Sequence, residues 1–404
     1  MRNYFSFTIL IFTLLLLDSC KSTRVVSQST QDQKGSDSLS LAQDSLSKSD
    51  TTKWYLTSKG DTLFTLDSTV TIEINRILKD TITLKAVGDI MMGTNFPSPS
   101  YLPGDQGYTL WNSVKPVLKD ADITFGNLEG TILNEGGEAK ECRNPKACYL
   151  FRTPESLSFH FKEAGFDLLS LANNHANDFG ETGRKNTQRV LDSLEIAYSG
   201  SVEKPFTILR RKGFTIGLLS MAPNKGTISI HDEEYAVKTV SLLDSLTDIA
   251  IVSLHIGAEG SKNQRITRKR EFYYGEDRGN VYELSRLLID AGADVILGHG
   301  PHVVRAIDLY KERIIAYSLG NFLTYGRFNL RGPNAYAPIL ELKISPEGKF
   351  LEGFIHSYIQ DYSLGPLKDS RGRAREAIKK LTELDFPESQ LTIDEKGRIS
   401  YLHP

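Results

Sequence analysis

From about residue 81 onward, apolar runs recur along the chain, and most stop in the same kind of residue. The run 82–87 leads into Gly88-Asp89, and 123–125 into Gly126-Asn127-Leu128-Glu129. Residues 168–172 lead into Asn173-Asn174-His175, 249–254 into His255, and 293–297 into Gly298-His299-Gly300-Pro301-His302. Short apolar runs bounded by Gly, Pro and Asn predict buried strands. Between them, the spacing predicts helices over 111–119, 154–164 with Gly165 as C-cap, 182–194 and 281–291. Further strands are expected over 214–219 and over 314–319, the latter ending in Gly320-Asn321. Beyond Pro338 come an alternating segment, a charged helix over 371–384 and a hairpin turning at Lys396-Gly397. Strands alternating with helices define an α/β chain. Shorter connections and alternation in the later strands add antiparallel members. The expected architecture is a sandwich of two mixed β-sheets flanked by helices.

The N-terminus has a different composition. Arg2 precedes an apolar stretch over 4–17, closed by Leu17-Asp18-Ser19-Cys20, which is short for a membrane span and fits a secretory signal. The Leu-x-x-Cys ending resembles a bacterial lipoprotein signal, which implies a lipid on Cys20. The alternative is an ordinary signal peptide with an incidental cysteine. Residues 21–50, rich in Ser, Gln and Asp, cannot bury enough apolar surface to fold and are expected to form a flexible tether. Residues 51–80 are expected to add a small β extension with a hairpin around Lys59-Gly60-Asp61. The principal domain is placed at 81–365, and a C-terminal helix and hairpin at 366–404.

With 404 residues, 40% of them hydrophobic, the chain can bury a full-sized core as one large domain or two smaller ones. A net charge of -2 gives no sign of nucleic-acid binding or of a polybasic membrane patch. Cys142 and Cys148 bracket a short loop whose Asn144-Pro145 favours a turn. A local disulfide is expected in an oxidising envelope. A zinc site would need further ligands that the neighbouring sequence does not offer, and two free thiols remain an alternative.

Asp89, Asn127, Glu129, Asn174, His175, His255, His299 and His302 are poor core material. They are good material for the mouth of an α/β sheet, where ligands sit beyond the strand ends. Each alone has a bland reading as a turn, cap or loop residue. Their coincidence at five strand ends argues for a built polar site. Carboxylates, amides and imidazoles without thiolate suit a divalent ion such as Mn, Fe, Zn or Mg, as one ion or two. Arg152 and Arg305 are candidate anion-binding groups, with a surface salt bridge as the alternative for each.

The segments GDIMMG, FGNLEGTIL, SLANNHANDFG, SLHIGAE, GADVILGHGPHVV and AYSLGNF together resemble the bacterial capsule-synthesis CapA family of poly-γ-glutamate synthesis proteins. That resemblance implies the calcineurin-like metallophosphoesterase fold. It implies metal ligation by Asp89, Asn127, Glu129, Asn174, His255, His299 and His302, and proton handling by His175. Asn321, in the last of these segments, joins Arg152 and Arg305 as a substrate-binding candidate. Where metallophosphoesterases usually carry Asp-x-His, this chain has Asp89-Ile90-Met91. Asn127 and Glu129 stand where a bridging aspartate is usual. The function implied is a lipid-anchored envelope hydrolase or transferase acting on a polyanionic capsule polymer or its precursor, at the outer membrane or periplasmic face. Capsule-synthesis membrane proteins are the implied partners. The alternative is a non-catalytic accessory that binds, anchors or passes on the polymer.

Overall fold

The computed structural model describes residues 55–56, 62–63, 81–141 and 148–401. The described residues fall within one compact unit, Lys53–Pro404. Residues 1–52, with the expected signal, Cys20 and tether, lie outside the described residues. Among the described residues no helix is long and apolar enough to cross a membrane. Tyr55–Leu56 pairs antiparallel with Thr62–Leu63, in keeping with the expected hairpin.

One sheet contains β1 (Ile82–Met91), β2 (Ile123–Leu128), β3 (Leu168–Ser170) and β4 (Ala197–Ser199). The other is built from β5 (Phe206–Arg211), β6 (Phe214–Met221), β7 (Ile249–His255), β8 (Val295–His299), β9 (Ile307–Tyr310) and β10 (Arg313–Ala316). The chain then returns to the first sheet with β11 (Asn321–Thr324), β12 (Ile339–Ile344), β13 (Phe350–His356), β14 (Leu391–Ile393) and β15 (Arg398–Tyr401). The first sheet runs β14-β15-β13-β12-β1-β2-β3-β4, with β11 pairing on β1, and the second runs β9-β10-β8-β7-β6-β5. Both are mixed, as expected. β1 to β4 are parallel while β12 and β13 run antiparallel. β6, β7, β8 and β10 are parallel between antiparallel edges.

Among the described residues, seven α-helices cover these sheets: α1 (Tyr108–Trp111), α2 (Lys115–Lys119), α3 (Phe159–Ala164), α4 (Gly180–Ser193), α5 (Glu233–Leu246), α6 (Val281–Asp290) and α7 (Arg373–Asp385). Strand alternation sorts the side chains into three apolar layers. Ile82, Leu84 and Phe125 of the first sheet meet Ile216, Ile251 and Leu297 of the second in a core between the sheets. The outer face of the first sheet packs Val87, Ile90 and Leu169 against Trp111, Phe161 and Leu191. The outer face of the second packs Val252 and Ile296 against Val240, Leu243 and Leu288. The result is a four-layer helix–sheet–sheet–helix sandwich.

Three features differ from the sequence reading. The expected helix over 111–119 is broken into α1 and α2, and that over 154–164 into a 3-10 turn and α3. Helix α5 was not anticipated, although Asp232 caps it by accepting from the Tyr235 amide at 3.1 Å. The C-terminal hairpin does not stand apart, because β15 pairs with β13 and extends the first sheet. The basic stretch after β7 is tied to the same end of the chain. Arg265 bonds Asp385, while Arg268 bonds Glu388 and the Asp385 carbonyl.

The two sheets are joined where β10 passes into β11. Along that crossing, the Leu319 amide donates to the Gly298 carbonyl at 3.0 Å, and Gly320 accepts from the Asp89 amide at 2.9 Å. The backbones come so close that a Cβ on Gly88 would lie 1.9 Å from the Gly320 oxygen, and one on Gly298 2.2 Å from the Tyr317 oxygen. Gly88→Ala and Gly298→Ala are each expected to lower the unfolding free energy by at least about 2 kcal/mol. Gly104→Ala, whose methyl meets no atom within 4 Å, is expected to change it by less than about 0.5 kcal/mol. Urea unfolding would measure all three, and equal midpoints would refute the close-approach account.

Candidate metal centre

Asp89 reaches the site because β1 is irregular beside it. The ladder pairs Ala86 with Phe125 and next Asp89 with Asn127, so one extra residue of β1 is accommodated. Such a bulge re-aims the side chains beyond it. On the facing sheet, His255 and His299 end β7 and β8 as direct register partners. Glu129 follows β2 immediately, its amide bonded to the Ile90 carbonyl at 2.9 Å. Parallel strands thus deliver their carboxyl ends, and the polar residues found there, to one place.

Ligating atoms of Asp89, Glu129 and His255 lie within 4.8 Å of one another, and all three residues are buried. His299 Nδ1 stands 3.3 Å from Asp89 Oδ1, and His302 Nδ1 donates to Asp89 Oδ2 at 2.8 Å. Asn127 turns its amide nitrogen, not its oxygen, toward the carboxylates. It donates to Asp89 Oδ1 at 2.8 Å and to Glu129 Oε2 at 2.7 Å. Asn173 braces it from behind, donating to Asn127 Oδ1 and to the Leu128 carbonyl, while Asn173 Oδ1 accepts from the His175 amide.

Buried polar atoms are nearly always paired. Here Glu129 Oε1, Asn174 Oδ1 and both ring nitrogens of His255 and of His299 are buried without a hydrogen bond, although His299 Nδ1 lies 3.3 Å from Asp89 Oδ1. Each imidazole can offer one nitrogen to an ion, so Asp89, Glu129, His255 and His299 present a donor set that a divalent cation would complete. The residues fit the ion their chemistry implies.

Burial raises the Asp89 carboxyl, but the nearby His299 and His302 prevail and hold it well below the usual range. Glu129 is pushed well above its usual value, first by burial and then by the Asp89 charge. His255 is driven well below by burial. For His302 burial also works downward, yet the bond to Asp89 outweighs it and lifts the ring to about 10. His175 lies lower than usual because burial outweighs the opposing effect of Asp178.

His175 Nδ1 donates to Asp178 Oδ2 at 2.7 Å. Asp178 is fully buried and also accepts from the Phe151 amide at 2.7 Å, with Lys140 Nζ 2.6 Å from its other oxygen. The Phe151 ring lies 4.2 Å from the His175 ring. Asp178, Lys140 and Phe151 escaped the sequence reading. Asp178, three residues past His175, was the legible one.

The other candidates fall in different places. Asn321 is buried as the register partner of Asp89 and donates to the Asn334 carbonyl. Arg152 bonds Asn95 Oδ1 at 2.6 Å and the Gly136 carbonyl at 2.9 Å, and lies over the Phe179 ring. Arg305, expected at an anion, is instead a buried strut. Glu271 holds its guanidinium through bonds of 2.9 and 2.7 Å, and the Ala258 carbonyl accepts a third. Cys148 is disulfide-bonded, while Cys142 lies outside the described residues.

The family model described as "Bacterial capsule synthesis protein PGA_cap" matches residues 83–325, a stretch that contains every residue of this centre. The chain belongs to that family. Among PGA_cap relatives, it is 30% identical over 260 residues to the PGA biosynthesis protein CapA of Bacillus subtilis (strain 168), covering 60% of this chain and 63% of that protein. It is 29% identical over 261 residues to the capsule biosynthesis protein CapA of Bacillus anthracis, covering 60% and 59%. The chain thus spans less than two thirds of either relative's length. Among solved structures, the calcineurin-like phosphoesterase YfkN of Bacillus subtilis covers 75% of this chain and 99% of its own, at 12% identity and a TM-score of 0.39. Both identity and TM-score make that likeness remote, and it does not bear on the site.

Burial shifts Glu129 toward its protonated form, so an entering cation competes there with a proton. Because that group is raised, protons compete with metal below its folded pKa, and affinity should climb as pH rises toward it. Calorimetric titration of Mn²⁺ or Zn²⁺ in buffers of different ionisation enthalpy is expected to show release of about one proton or more. Heats independent of the buffer would refute this assignment.

Proposed function

We propose that this PGA_cap protein is a metal-dependent hydrolase or transferase of the cell envelope, acting on a polyanionic capsule polymer or its precursor. The observation that carries the reading is the set of unpaired donors beside a carboxylate-anchored His175. Asp89, Glu129, His255, His299 and Asn174 would hold one divalent ion or two. When bound, the ion supplies Lewis acidity at the strand ends. Asp178 fixes the His175 ring with its Nδ1–H engaged, so Nε2 is left to take up or return a proton at the reacting group. Phe151, tilted against that ring at 4.2 Å, limits water around it. The printed names of the relatives, "PGA biosynthesis" and "capsule biosynthesis", support a polymer context. In this reading residues 1–20 are the signal and a lipid on Cys20 ties the protein to a membrane.

Asn127 favours a second reading. Its NH2 group sits where a bridging carboxylate would serve two ions, and it occupies one oxygen of each neighbouring carboxylate. A non-catalytic accessory that binds or passes on the polymer would tolerate that arrangement. A Mycobacterium tuberculosis relative, 27% identical over 239 residues, is called a probable polyglutamine synthesis accessory protein.

Metal analysis by mass spectrometry of protein purified without chelator separates the two. The hydrolase reading expects one or two equivalents, lost when His255 and His299 are both changed to Ala. It also expects cleavage of a model phosphodiester or γ-glutamyl amide, reduced about 100-fold or more in His175→Gln. Protein that takes up neither Mn²⁺ nor Zn²⁺ would sink it and leave the accessory role.

A further inference from the structure

Aromatic rings flank the centre on one side. Phe151 lies against the His175 ring at 4.2 Å, Phe328 stacks on Phe151 at 5.0 Å, and Phe328 meets the His302 ring edge-on at 5.7 Å. The same two segments of chain meet a second time. Arg327 places its guanidinium carbon over the Tyr149 ring at 4.8 Å and over the Tyr101 ring at 4.9 Å. Exposure grows along this strip, which gives it a direction. Phe151 is 2% exposed, Phe328 and Arg327 are half-buried, and Tyr149 is 44% exposed. The strip therefore begins at the buried centre and ends in a cation at the surface.

That cation is held differently from others in the fold. Arg189, Arg286, Arg305 and Arg313 each pair with a carboxylate. Among the described residues, no carboxylate or carbonyl accepts from the Arg327 guanidinium. A guanidinium carries five N–H donors in one plane and keeps its charge at any working pH. Aromatic faces attract such a cation without taking up those donors. The backbone around it is fastened on both sides. The Tyr325 amide donates to the Met91 carbonyl at 2.8 Å, the Arg327 amide to the Tyr325 carbonyl at 3.1 Å, and the Leu330 amide to the Tyr362 hydroxyl at 3.2 Å. Arg327 is thus a positioned cation whose donors are open to solution.

We propose that Arg327 is a second anion-binding group, which takes up a carboxylate or phosphoryl group of the substrate chain beyond the one held at the metal centre. Arg suits either oxyanion, since its planar fork matches both. The Phe151–Phe328 pair is the apolar track between the two points. The ligand class that fits is a chain with repeated anionic groups on apolar spacers, because a ligand with one anion cannot occupy both. Arg327 determines specificity and takes no part in the chemical step. This inference rests on the polyanion reading above.

The test titrates wild-type protein, Arg327→Gln, Arg327→Lys and Arg331→Gln by calorimetry. The ligands are a γ-linked glutamate oligomer and a phosphodiester-linked glycerol phosphate oligomer, with glutarate and glycerol phosphate as their single-anion counterparts. Arg331, exposed and four residues further on, controls for general charge attraction. Circular dichroism checks folding, and mass spectrometry reads metal content. The wild type is expected to bind one oligomer at least about tenfold more tightly than its single-anion counterpart. Arg327→Gln is expected to weaken that oligomer about tenfold or more, with metal content and single-anion affinity unchanged. Arg327→Lys, which keeps the charge without the fork, is expected to lose about threefold and serves alone should the glutamine variant unfold. Arg331→Gln is expected to match the wild type. Preference for the glutamate oligomer assigns carboxylates to the site, and preference for the glycerol phosphate oligomer assigns phosphoryl groups. Unchanged oligomer affinity in the folded Arg327 variants, an equal loss in Arg331→Gln, or an equal loss for oligomer and single anion would each overturn the proposal. A wild type that binds neither oligomer more tightly than its counterpart would overturn it together with the polyanion reading. The two failures are thereby told apart.

Discussion

Everything at the centre depends on a close passage of backbone against backbone. The segment between β10 and β11 crosses from one sheet to the other, touching Gly298 on one side and Gly88 on the other. A side chain at either position would clash with the crossing backbone and push it away. With hydrogen, the crossing strand bonds directly to both ladders. Asp89 and His299, each the residue after one of those glycines, are thereby fixed relative to each other although they belong to different sheets. A pair held by flexible loops would drift when the ion's charge is absent, whereas these two are held by main-chain hydrogen bonds.

Asn127 gives the site its individual character. A carboxylate at that position would add negative charge and a further pair of lone pairs. The amide brings two N–H donors between Asp89 and Glu129 and lowers the repulsion between them. That trade weakens the capacity for a second ion, yet it keeps two buried acids close together, with burial shifting Glu129 toward its protonated form. The pairing of a raised Glu129 with a lowered Asp89 follows from the same geometry. Asp89 has His299 and His302 within 3.3 Å, whereas Glu129 lies buried beside the Asp89 charge with His255 Nδ1 3.9 Å away.

How much of this was legible depended on the range of each interaction. Strand ends could be read because burial forces apolar runs, and a polar residue ending such a run is conspicuous. The helix α6 and the C-cap at Gly165 were equally readable, since spacing and caps are local signals. Lys140 and Phe151 were not, because they reach the centre from segments that obey no periodicity. Arg305 misled for a related reason: proximity to the last motif in sequence did not reveal Glu271, which approaches from a different loop. The role of the basic stretch at 265–270 was unreadable for the same cause, its acidic partners Asp385 and Glu388 lying at the far end of the chain.

The arrangement of β1 carries a consequence for how the protein comes into being. That strand lies mid-sheet, with β2 arriving soon after it on one side. Its other neighbours, β11 and β12, come from the last third of the chain. The bond between Asp89 and His302 closes 213 positions of sequence. Such long closures are slow and leave strand edges waiting. A growing chain therefore holds β1 half-paired until nearly all of it has been made. The site cannot assemble before β8 and His302 have been made, and a product truncated before β12 would expose an apolar edge open to aggregation.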